Sequence, residues 1–436
     1  MSEVSRRDFV RNTAMGATAG LAMLGTSKTS WAGANDRIRV AQIGIRGRGR
    51  DHLKGMLPQK GVEVTTLCDI DQKLFAGITK EFFEKRKLPT PKAVTDMREV
   101  FADPDIDAVM IATPNHWHSL AAIWALQAGK HVYVEKPCSH NYFEGSKLVE
   151  AAEKYGKVVQ HGSQIRSNPS MQEAIKLLND GVIGEVYMAR GLCYRWRDDI
   201  GKKADAPVPE GVNYNLWLGP APERAFNPNR FHYNWHYMWD YGNGDIGNQG
   251  VHQMDVARWG LGVELPTRVT SMGNMYIFDD DKEVPNVITT AFDFPDAGKK
   301  GKMLVFDTRP WCTNDEKNAK VGVIFYGSDG YMVIDSYSHY KVYLGQKEQP
   351  GPENDKEADH YENFVAAIRA NDPKMVNAPI REGHLSSALC HLGLISAKLD
   401  RSLTFDPAKA DFVGDAEASA LLTRQYREPF VVPETV

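Results

Sequence analysis

The tripeptide Glu135-Lys136-Pro137 is the first place in the sequence where residue type and position together suggest chemistry. It follows His131 to Val134, an apolar run typical of a buried parallel strand. Open α/β sheets bind ligands beyond the carboxyl ends of their strands. Pro137 ends the strand and favours extended geometry at Lys136, so we expect the ammonium to face a bound molecule. The alternative is a strand followed by an ordinary polar turn.

A glycine-rich turn, Gly44-Ile-Arg-Gly-Arg-Gly49, directly follows the apolar run Ile38 to Ile43. Dinucleotide-binding folds need glycine at the tight turn, beside the pyrophosphate and where the helix packs on the strand. Arg46 occupies the second of these places, where its side chain can hold phosphate by charge-assisted hydrogen bonds. The turn therefore predicts cofactor contacts for Gly44, Arg46, Gly47, Arg48 and Gly49. An ordinary strand-to-helix loop is the alternative.

Asp69 follows a second strand, Val62 to Leu67, at about the distance from the glycines where an acidic residue binds the adenosine ribose. Its carboxylate would accept hydrogen bonds from both ribose hydroxyls and would repel a 2'-phosphate. This position therefore predicts NAD rather than NADP. The alternative is that Asp69 caps a helix starting near Asp71.

The loop Thr113-Pro-Asn-His-Trp-His118 follows a further strand, Ala108 to Ala112. Its place at a strand end predicts contacts to the second ribose and the nicotinamide from Thr113, Pro114, Asn115 and His118, and a cofactor contact is likewise predicted for Glu135 and Lys136. His116 and His118 suggest a metal, but the loop supplies no carboxylate or thiol partner. We predict no metal here, with helix capping as the alternative role of these histidines.

The elements that must position these residues divide the chain in two. Residues 35–160 alternate strands with helix-like segments, and six such units predict a doubly wound parallel sheet, with its first helix beginning near Asp51. Residues 161–436 are richer in aromatic strand patterns, which predict an antiparallel sheet. Near the end, 346–359 has the composition of a surface loop. Two amphipathic helices, 359–369 and 381–399, are expected to pack back on the domain boundary.

Length and composition limit the possible functions. A chain of 436 residues is too long for one ordinary core. The net charge of -4 gives no electrostatic reason to expect binding to nucleic acid or an anionic membrane. The five cysteines have no metal-binding spacing, and their odd number favours buried thiols over a disulfide framework.

The first 34 residues resemble a twin-arginine signal peptide, through Ser5-Arg6-Arg7-Asp8-Phe9-Val10 and the weakly apolar run Thr13 to Gly25. That run is too short to span a bilayer stably, and small residues predict cleavage near Gly33 or Asn35. We therefore expect export to the periplasm by the twin-arginine machinery, with a tightly bound cofactor loaded before export. An uncleaved arm or membrane anchor is the alternative.

The motifs in combination resemble the glucose-fructose oxidoreductase, inositol dehydrogenase and MocA family of oxidoreductases. They are the glycine turn, Glu135-Lys136-Pro137 and the stretch Gly242-Asn-Gly-Asp-Ile-Gly-Asn-Gln-Gly-Val-His-Gln-Met-Asp255. The resemblance implies an N-terminal Rossmann domain that binds NAD. It also implies a C-terminal α/β domain whose large, open, mostly antiparallel sheet forms a homo-oligomer interface in a dimer or tetramer. Lys136 and His252 match the lysine and histidine of the family's active site.

Alcohol oxidation explains these residue types. A base must take the hydroxyl proton while hydride leaves the carbon, and a donor must stabilise the charge on oxygen. His252 can act as the base near neutral pH, and Lys136 can hold the oxygen or relay the proton. Asn248 stands where the family commonly has aspartate, so Asp255, on the same helical face, is predicted to orient the imidazole. The alternative for His252 is a core histidine.

Substrate contacts are predicted in the second half of the chain. Gln164 and Arg166 follow the last nucleotide-domain strand and can contact hydroxyls. The segment around Arg195 offers guanidinium and aromatic groups suited to a pyranose ring, and the predicted sugar-stacking residues are Trp196, Tyr237 and Trp239. Aromatic residues at this density are also typical of a core.

Together these patterns predict an exported NAD-dependent oxidoreductase. It would transfer hydride between a tightly bound nicotinamide and a secondary hydroxyl of a sugar, polyol or glycoside. A second hypothesis, also implied by the resemblance, is an NAD-dependent glycosidase that works by transient oxidation, elimination and re-reduction. A non-catalytic sugar sensor is a third possibility, which the combination of Lys136 and His252 disfavours.

Overall fold

The structure is a computed structural model, and it describes residues 37–311 and 314–436. The predicted signal peptide, residues 1–34, lies outside the described residues, as does Cys312. The remaining cysteines, Cys68, Cys138, Cys193 and Cys390, are buried and free. No helix in the described ranges combines the length and the apolar character needed to cross a membrane.

Strands and helices alternate through the N-terminal half of the described chain. In order they are β1 Ile38–Ile43, α1 Gly47–Met56, β2 Val62–Cys68, α2 Leu74–Phe82, β3 Lys92–Val94, α3 Met97–Ala102, β4 Ala108–Ile111, α4 Asn115–Gln127, β5 His131–Val134, α5 Tyr142–Tyr155 and β6 Val159–His161. All neighbouring strands are parallel, in the order β3-β2-β1-β4-β5-β6. This confirms the doubly wound Rossmann sheet, with its topological switch between β1 and β4.

Helix α1 begins four residues before the predicted start near Asp51. Arg46, with φ -92° and ψ -179°, is the last extended residue before it. The glycines inside this first turn have low helix propensity, so the sequence pattern does not indicate that the helix begins there. The absence of a side chain at Gly49 lets this turn pack closely on the end of β1.

The C-terminal half carries a second, larger sheet. Its elements are α6 Pro169–Asn179, β7 Val186–Cys193, α7 Tyr214–Leu218, α8 Gly244–Asn248, α9 Gly250–Leu261, β8 Arg268–Asn274, β9 Val287–Phe294, β10 Lys302–Thr308, β11 Val321–Gly327, β12 Gly330–Ile334, β13 Tyr340–Leu344, β14 Gln349–Asn354, α10 His360–Ala370, α11 Ile380–Leu399, β15 Leu403–Asp406, β16 Asp411–Phe412 and α12 Ala416–Ala420. The order is β14-β13-β12-β11-β7-β10-β9-β8-β15-β16. Only the pair β7–β10 is parallel, so the open, mostly antiparallel sheet is confirmed.

Helices cover one face of the second sheet. Apolar side chains of α9 and α11, such as Met254 and Leu389, share one buried cluster with Phe292, Phe306 and Phe325 from the strands. Helix α10 packs elsewhere, because its Phe364 lies in the cluster beneath the first sheet. Among the described residues, the opposite face of the second sheet, here called the open face, carries only a small cluster.

The predicted surface loop over 346–359 is wrong in part, because it contains β14. This strand pairs only with β13 and forms one edge of the sheet. It includes Pro350 and is mostly exposed. Edge strands tolerate proline and polar residues because one side of the ladder faces solvent, and the sequence pattern there is that of a loop.

Candidate active site

A deep cleft, here called the main cleft, lies at the carboxyl ends of the Rossmann strands. Segments of the C-terminal half also line it, including Tyr233, His236 and Phe430. Every residue predicted to contact the cofactor lines this cleft except Gly49, namely Gly44, Arg46, Gly47, Arg48, Asp69, Thr113, Pro114, Asn115, His118, Glu135 and Lys136. The carboxyl-end rule for parallel sheets therefore brings these distant residues together.

The glycines of the first turn are required by close backbone contacts. Gly44 has φ +79°, and a Cβ there would lie 2.5 Å from the carbonyl oxygen of Ala112. A Cβ on Gly49 would lie 1.9 Å from the carbonyl oxygen of Gly44, so Gly49 lets α1 pack on β1. Gly47 has φ +32° and open space around it. The turn thus leaves room for a ligand over Gly47.

Asp69 lies at the end of β2, where its carboxylate is held by backbone amides. Ile45 N–H donates to Oδ2 at 3.0 Å, and Asp71 N–H donates to Oδ1 at 3.1 Å. Burial raises the pKa of Asp69 to about 6, and these amides oppose the shift. Helix α2 begins only at Leu74 and has no side-chain cap, so Asp69 does not cap it.

Glu135 links the end of β5 to helix α1. Its buried carboxylate accepts from Arg48 Nε at 2.8 Å and lies 3.0 Å from His52 Nε2. Burial alone would raise the pKa of Glu135, but the Arg48 guanidinium holds it well below its usual value. A Cβ on Gly162 would come within 2.9 Å of this carboxylate. Glu135 thus fixes the strand end from which Lys136 projects.

Lys136 reaches from the first half of the chain to the second. Its Nζ donates to the backbone carbonyl oxygen of Asn248 at 2.6 Å, and the Asn248 side-chain oxygen lies 3.4 Å away. Burial, with the positive charges of Arg48, Arg197 and Arg195, lowers the pKa of Lys136 to about 8 against the opposing effect of Glu135. A large fraction of this amine is therefore neutral near pH 8.

A second cavity, here called the side pocket, adjoins the main cleft. Its walls are Arg48, Lys136, Gln164, Arg195, Arg197, Tyr233, Asn248, Gln249, His252 and Tyr337. Arg48, Lys136, Tyr233 and Asn248 line both cavities. Lys136 and His252, separated by more than a hundred residues in sequence, therefore face one pocket that adjoins the predicted cofactor site.

His252 lies on α9 and is buried, with its ring centroid 5.0 Å from that of Tyr337. Its Nδ1 has no hydrogen-bond partner among the described residues. Burial, and then the charge of Lys136, hold the pKa of His252 well below its usual value. The imidazole is therefore neutral at physiological pH, and it is a weaker base than the sequence suggests.

Asp255 does not orient His252, so that prediction is wrong. Its carboxylate accepts from Arg166 Nε and Nη2 at 2.8 and 2.9 Å, and from Ser386 Oγ at 2.6 Å. These hydrogen bonds go to Arg166 and Ser386 rather than to His252. Arg166 is buried in the same ion pair and lines neither cavity. Its predicted substrate contact is likewise wrong, because a buried carboxylate holds the guanidinium.

The three predicted stacking residues lie outside both cavities. Trp196 is half exposed, and its ring centroid lies 4.1 Å from that of Trp311. Its Nε1 donates a hydrogen bond to Asp198 Oδ1 at 2.7 Å. Tyr237 is buried, with the Lys282 ammonium 5.5 Å from its ring centroid. Trp239 lines a separate cavity. The aromatic density there forms core and surface packing, which was the alternative interpretation.

Gln164 and Arg195 do line the side pocket, whereas other residues there were missed. Arg197 pairs with Asp245 at 2.8 Å, and its place in the same basic-aromatic segment as Arg195 was an available signal. Gln249 lies beside His252 within the family-like motif. Tyr337 follows β12, and no local motif marks it.

The two histidines after β4 hold backbone rather than metal. His118 Nδ1 lies 2.6 Å from the carbonyl oxygen of Pro137, and Nε2 lies 2.8 Å from that of Thr113. This ring therefore ties the end of β4 to the end of β5. His116 Nε2 lies 2.9 Å from the carbonyl oxygen of Trp217. Across residues 37–311 and 314–436, no group of at least three His, Cys, Asp or Glu side chains is arranged around a metal position.

The main cleft fits a nicotinamide dinucleotide. It combines open space over Gly47, a carboxylate at the end of β2, and the buried Thr113 Oγ1, which has no partner among the described residues. When bound, such a cofactor accepts or supplies hydride. The residues that would hold it are those of the glycine turn, Asp69 and the Thr113 loop.

Two family models match nearly the whole described chain. An oxidoreductase-family NAD-binding Rossmann fold matches residues 38–163, and the C-terminal α/β domain of the same oxidoreductase family matches residues 168–432. Solved structures share the fold. A levoglucosan dehydrogenase in complex with NADH and L-sorbose has a TM-score of 0.64 at 18% identity, over 85% of this chain and 99% of that one. The WlbA dehydrogenase of Bordetella pertussis, in complex with NADH and UDP-GlcNAcA, has a TM-score of 0.63 at 18% identity over the same shares.

Sequence relatives match over shorter stretches. An uncharacterized oxidoreductase of Rhizobium meliloti is 30% identical over 205 residues, which are 44% of this chain and 59% of that relative. A glycosyl hydrolase family 109 protein of Shewanella pealeana is 30% identical over 155 residues, which are 35% of this chain and 34% of that relative. With both domain models matched in order along the chain, the protein belongs to the oxidoreductase family of glucose-fructose oxidoreductase, inositol dehydrogenase and MocA.

Proposed function

We propose that this NAD-binding oxidoreductase transfers hydride between the nicotinamide and a secondary hydroxyl of a sugar, polyol or glycoside. One observation carries the proposal, namely that Lys136 and His252 line a side pocket adjoining the main cleft. A hydroxyl-bearing carbon in that pocket has a proton acceptor and a hydrogen-bonding imidazole beside it. Alcohol oxidation requires such a pair.

Lys136 is the proposed base. Its hydrogen bond to the Asn248 carbonyl fixes the amine, and as a neutral amine it has a lone pair for the hydroxyl proton. Its pKa of about 8 is close to the pH at which a general base works best. This assignment differs from the sequence prediction, which gave the role of base to His252.

His252 is proposed to orient the substrate oxygen. Its lowered pKa makes it a poor proton acceptor, but a neutral imidazole that lines the side pocket can hydrogen-bond a hydroxyl. Asn248 holds Lys136 through its backbone carbonyl, so the lack of a carboxylate at this position does not remove the anchor of the base.

NAD is the proposed cofactor, with NADP disfavoured. Asp69 lines the main cleft and is already held by two backbone amides, so its carboxylate cannot turn away from a 2'-phosphate. Tight binding is also proposed. Phe430, from the chain's C-terminal segment, lines the cleft and packs against Trp124, and we expect this wall to slow the release of a dinucleotide.

Export and self-association are further parts of the proposal. The twin-arginine motif near the N-terminus supports export to the periplasm. The open face of the second sheet supports a homo-oligomer, since Met272 and Met303 are exposed there, at 71% and 40%. The same face carries the stacked pair Tyr331 and Tyr343, with ring centroids 4.8 Å apart. Exposed apolar groups on a broad sheet are typical of an interface.

A second candidate function is NAD-dependent glycoside cleavage. The match to a glycosyl hydrolase family 109 protein over about a third of the chain favours it. In that reaction the same base would act first, and transient oxidation of the hydroxyl would acidify the carbon beside the new carbonyl. Loss of that proton would break the glycosidic bond by elimination, with the leaving oxygen taking up a proton, and water would then add to the resulting double bond. The cofactor is restored in the last step, so no net reduction of NAD accumulates.

The test is a panel of sugars, polyols and aryl glycosides offered to the purified protein with NAD. NADH formation and aglycone release are recorded together. The first without the second supports oxidation, and NAD-dependent release without NADH supports the glycosidase. Lys136→Met should lower either turnover by about a hundredfold or more and leave NAD binding intact. Lys54→Met, at an exposed lysine of α1, is the matched control.

If Lys136→Met retains full turnover, the proposed function fails. It also fails if no member of the panel is turned over by a preparation that binds NAD.

A further inference from the structure

The ionisable side chains that line the side pocket are mainly basic. Four basic side chains line it, and neither Asp nor Glu is among its walls in the described part of the chain. Two of these side chains form ion pairs with carboxylates that are not among the pocket walls. Arg48 pairs with Glu135 at 2.8 Å, and Arg197 pairs with Asp245 at 2.8 Å. The other two, Lys136 and Arg195, have no carboxylate partner among the described residues.

Arg195 is held in place by a neutral group. Its Nη1 donates to Gln249 Oε1 at 3.2 Å, and Gln249 is itself buried. Arg195 is exposed, so it lies at the mouth of the pocket, and its other donors have no hydrogen-bond partner among residues 37–311 and 314–436. A guanidinium presents its donors as a fork that matches a carboxylate in geometry.

The hydrogen-bonding groups of the side pocket also favour a ligand that accepts hydrogen bonds. Gln249 Nε2 donates to the hydroxyl oxygen of Tyr337 at 3.0 Å, so the hydroxyl hydrogen of Tyr337 is available to a ligand. Arg197 Nη1 likewise donates to the hydroxyl oxygen of Tyr233 at 3.4 Å. The pocket therefore offers mainly donors. A neutral sugar hydroxyl both donates and accepts, whereas a carboxylate only accepts.

We propose that the substrate is an acidic sugar, and that Arg195 binds its carboxylate at the mouth of the side pocket. This inference rests on the proposed function, because it places the oxidised hydroxyl at Lys136 and the carboxylate at the opposite, exposed end. One guanidinium without a carboxylate partner matches one negative charge, which favours a carboxylate over a phosphate monoester.

The test measures binding to the NAD-loaded protein by titration calorimetry. The probes are D-glucuronate and D-galacturonate, their neutral counterparts D-glucose and D-galactose, and D-glucose 6-phosphate. At least one uronate should bind about tenfold or more tightly than its neutral counterpart. Added salt should weaken the uronate more than the neutral sugar, because the contact at the mouth is exposed and screened.

Two variants assign the effect to Arg195. Arg195→Gln should reduce the preference for the uronate to less than about threefold, and Arg195→Lys should keep part of it. Arg268→Gln, at an arginine on the open face of the second sheet, should leave the preference unchanged. Circular dichroism checks that each variant is folded.

Several outcomes would overturn the inference. These are equal binding of neutral and acidic sugars, an unchanged preference in Arg195→Gln, tightest binding of the phosphate, or no binding by any probe. The proposed function fails separately. Uronate binding without NAD-dependent turnover contradicts that function alone, and turnover of neutral sugars with no preference for uronates contradicts the carboxylate assignment alone.

Discussion

Lys136 Nζ donates a hydrogen bond to the backbone carbonyl oxygen of Asn248 across 2.6 Å. This contact joins the end of β5 in the Rossmann half to the end of α8 in the C-terminal half. The amine is thus positioned by backbone from the other domain rather than by an acidic side chain. Its ionisation therefore depends mainly on burial, on the neighbouring charge of Glu135 and on the surrounding arginines.

Oxidation should depend on the ionisation of Lys136. Only the neutral amine can take the hydroxyl proton, so kcat/KM for oxidation should fall as pH decreases through the pKa of about 8. Well below this pKa the loss should approach tenfold per pH unit, and above it the rate should level off. The measurement is the pH profile of NADH formation, with circular dichroism at each pH to show that the protein stays folded. A flat profile across pH 8 would contradict the role of Lys136 as base.

Glu135→Gln should destabilise the protein by about 2 kcal/mol near neutral pH, because it leaves Arg48 without its carboxylate. The Arg48 side chain is 37% exposed, which keeps the cost below that of a fully buried pair. The folded pKa of Glu135 lies below its usual value. Its contribution is therefore complete above the unfolded pKa of about 4.3 and is lost as pH falls through the folded value.

Urea unfolding at neutral and acid pH measures this difference. The gap between wild type and Glu135→Gln should narrow in acid. A gap that widens as pH falls would show that the sign of the linkage is wrong.

Gly49→Ala should disrupt both folding and cofactor binding. Its Cβ would overlap the Gly44 carbonyl oxygen at 1.9 Å, so α1 must shift away from β1, at a cost of about 3 kcal/mol. Gly77→Ala is the matched control, because nothing lies within 4 Å of a Cβ there, and it should be neutral or slightly stabilising. Urea unfolding and NAD titration give the comparison. Equal effects of the two substitutions would refute the packing argument.

Local and periodic signals in the sequence account for what could be predicted. Continuous apolar runs such as β4 and β5 set the parallel sheet, and the carboxyl-end rule then placed Gly44, Asp69 and Lys136 at one cleft. Side-chain partners did not follow from spacing. The i, i+3 relation of His252 and Asp255 is real on α9, yet Arg166 and Ser386 draw the carboxylate into the core. Tyr337 enters the side pocket from a distant hairpin, a contact that only tertiary structure reveals.

Asp255→Asn should separate a structural role from a catalytic one. Asparagine cannot balance the buried Arg166, so unfolding should become easier by about 3 kcal/mol. Because the carboxylate accepts its hydrogen bonds from Arg166 and Ser386 rather than from His252, the pH profile of turnover should not change in the folded variant. Denaturant unfolding and the profile are recorded on one preparation. A shifted profile with unchanged stability would restore Asp255 as the orienting carboxylate.

Phe430→Ala should release the cofactor faster. Phe430 lines the main cleft. Its ring centroid lies 5.4 Å from that of Trp117 and 6.4 Å from that of Trp124. Removing it opens that wall, and we expect the NAD dissociation rate to rise by about tenfold or more. Phe412→Ala is the matched control, because Phe412 is similarly buried against Phe405 in the second sheet. Both variants should lose stability, but only Phe430→Ala should lose NAD on dialysis. Equal retention of NAD by the two variants would show that the C-terminal segment does not hold the cofactor.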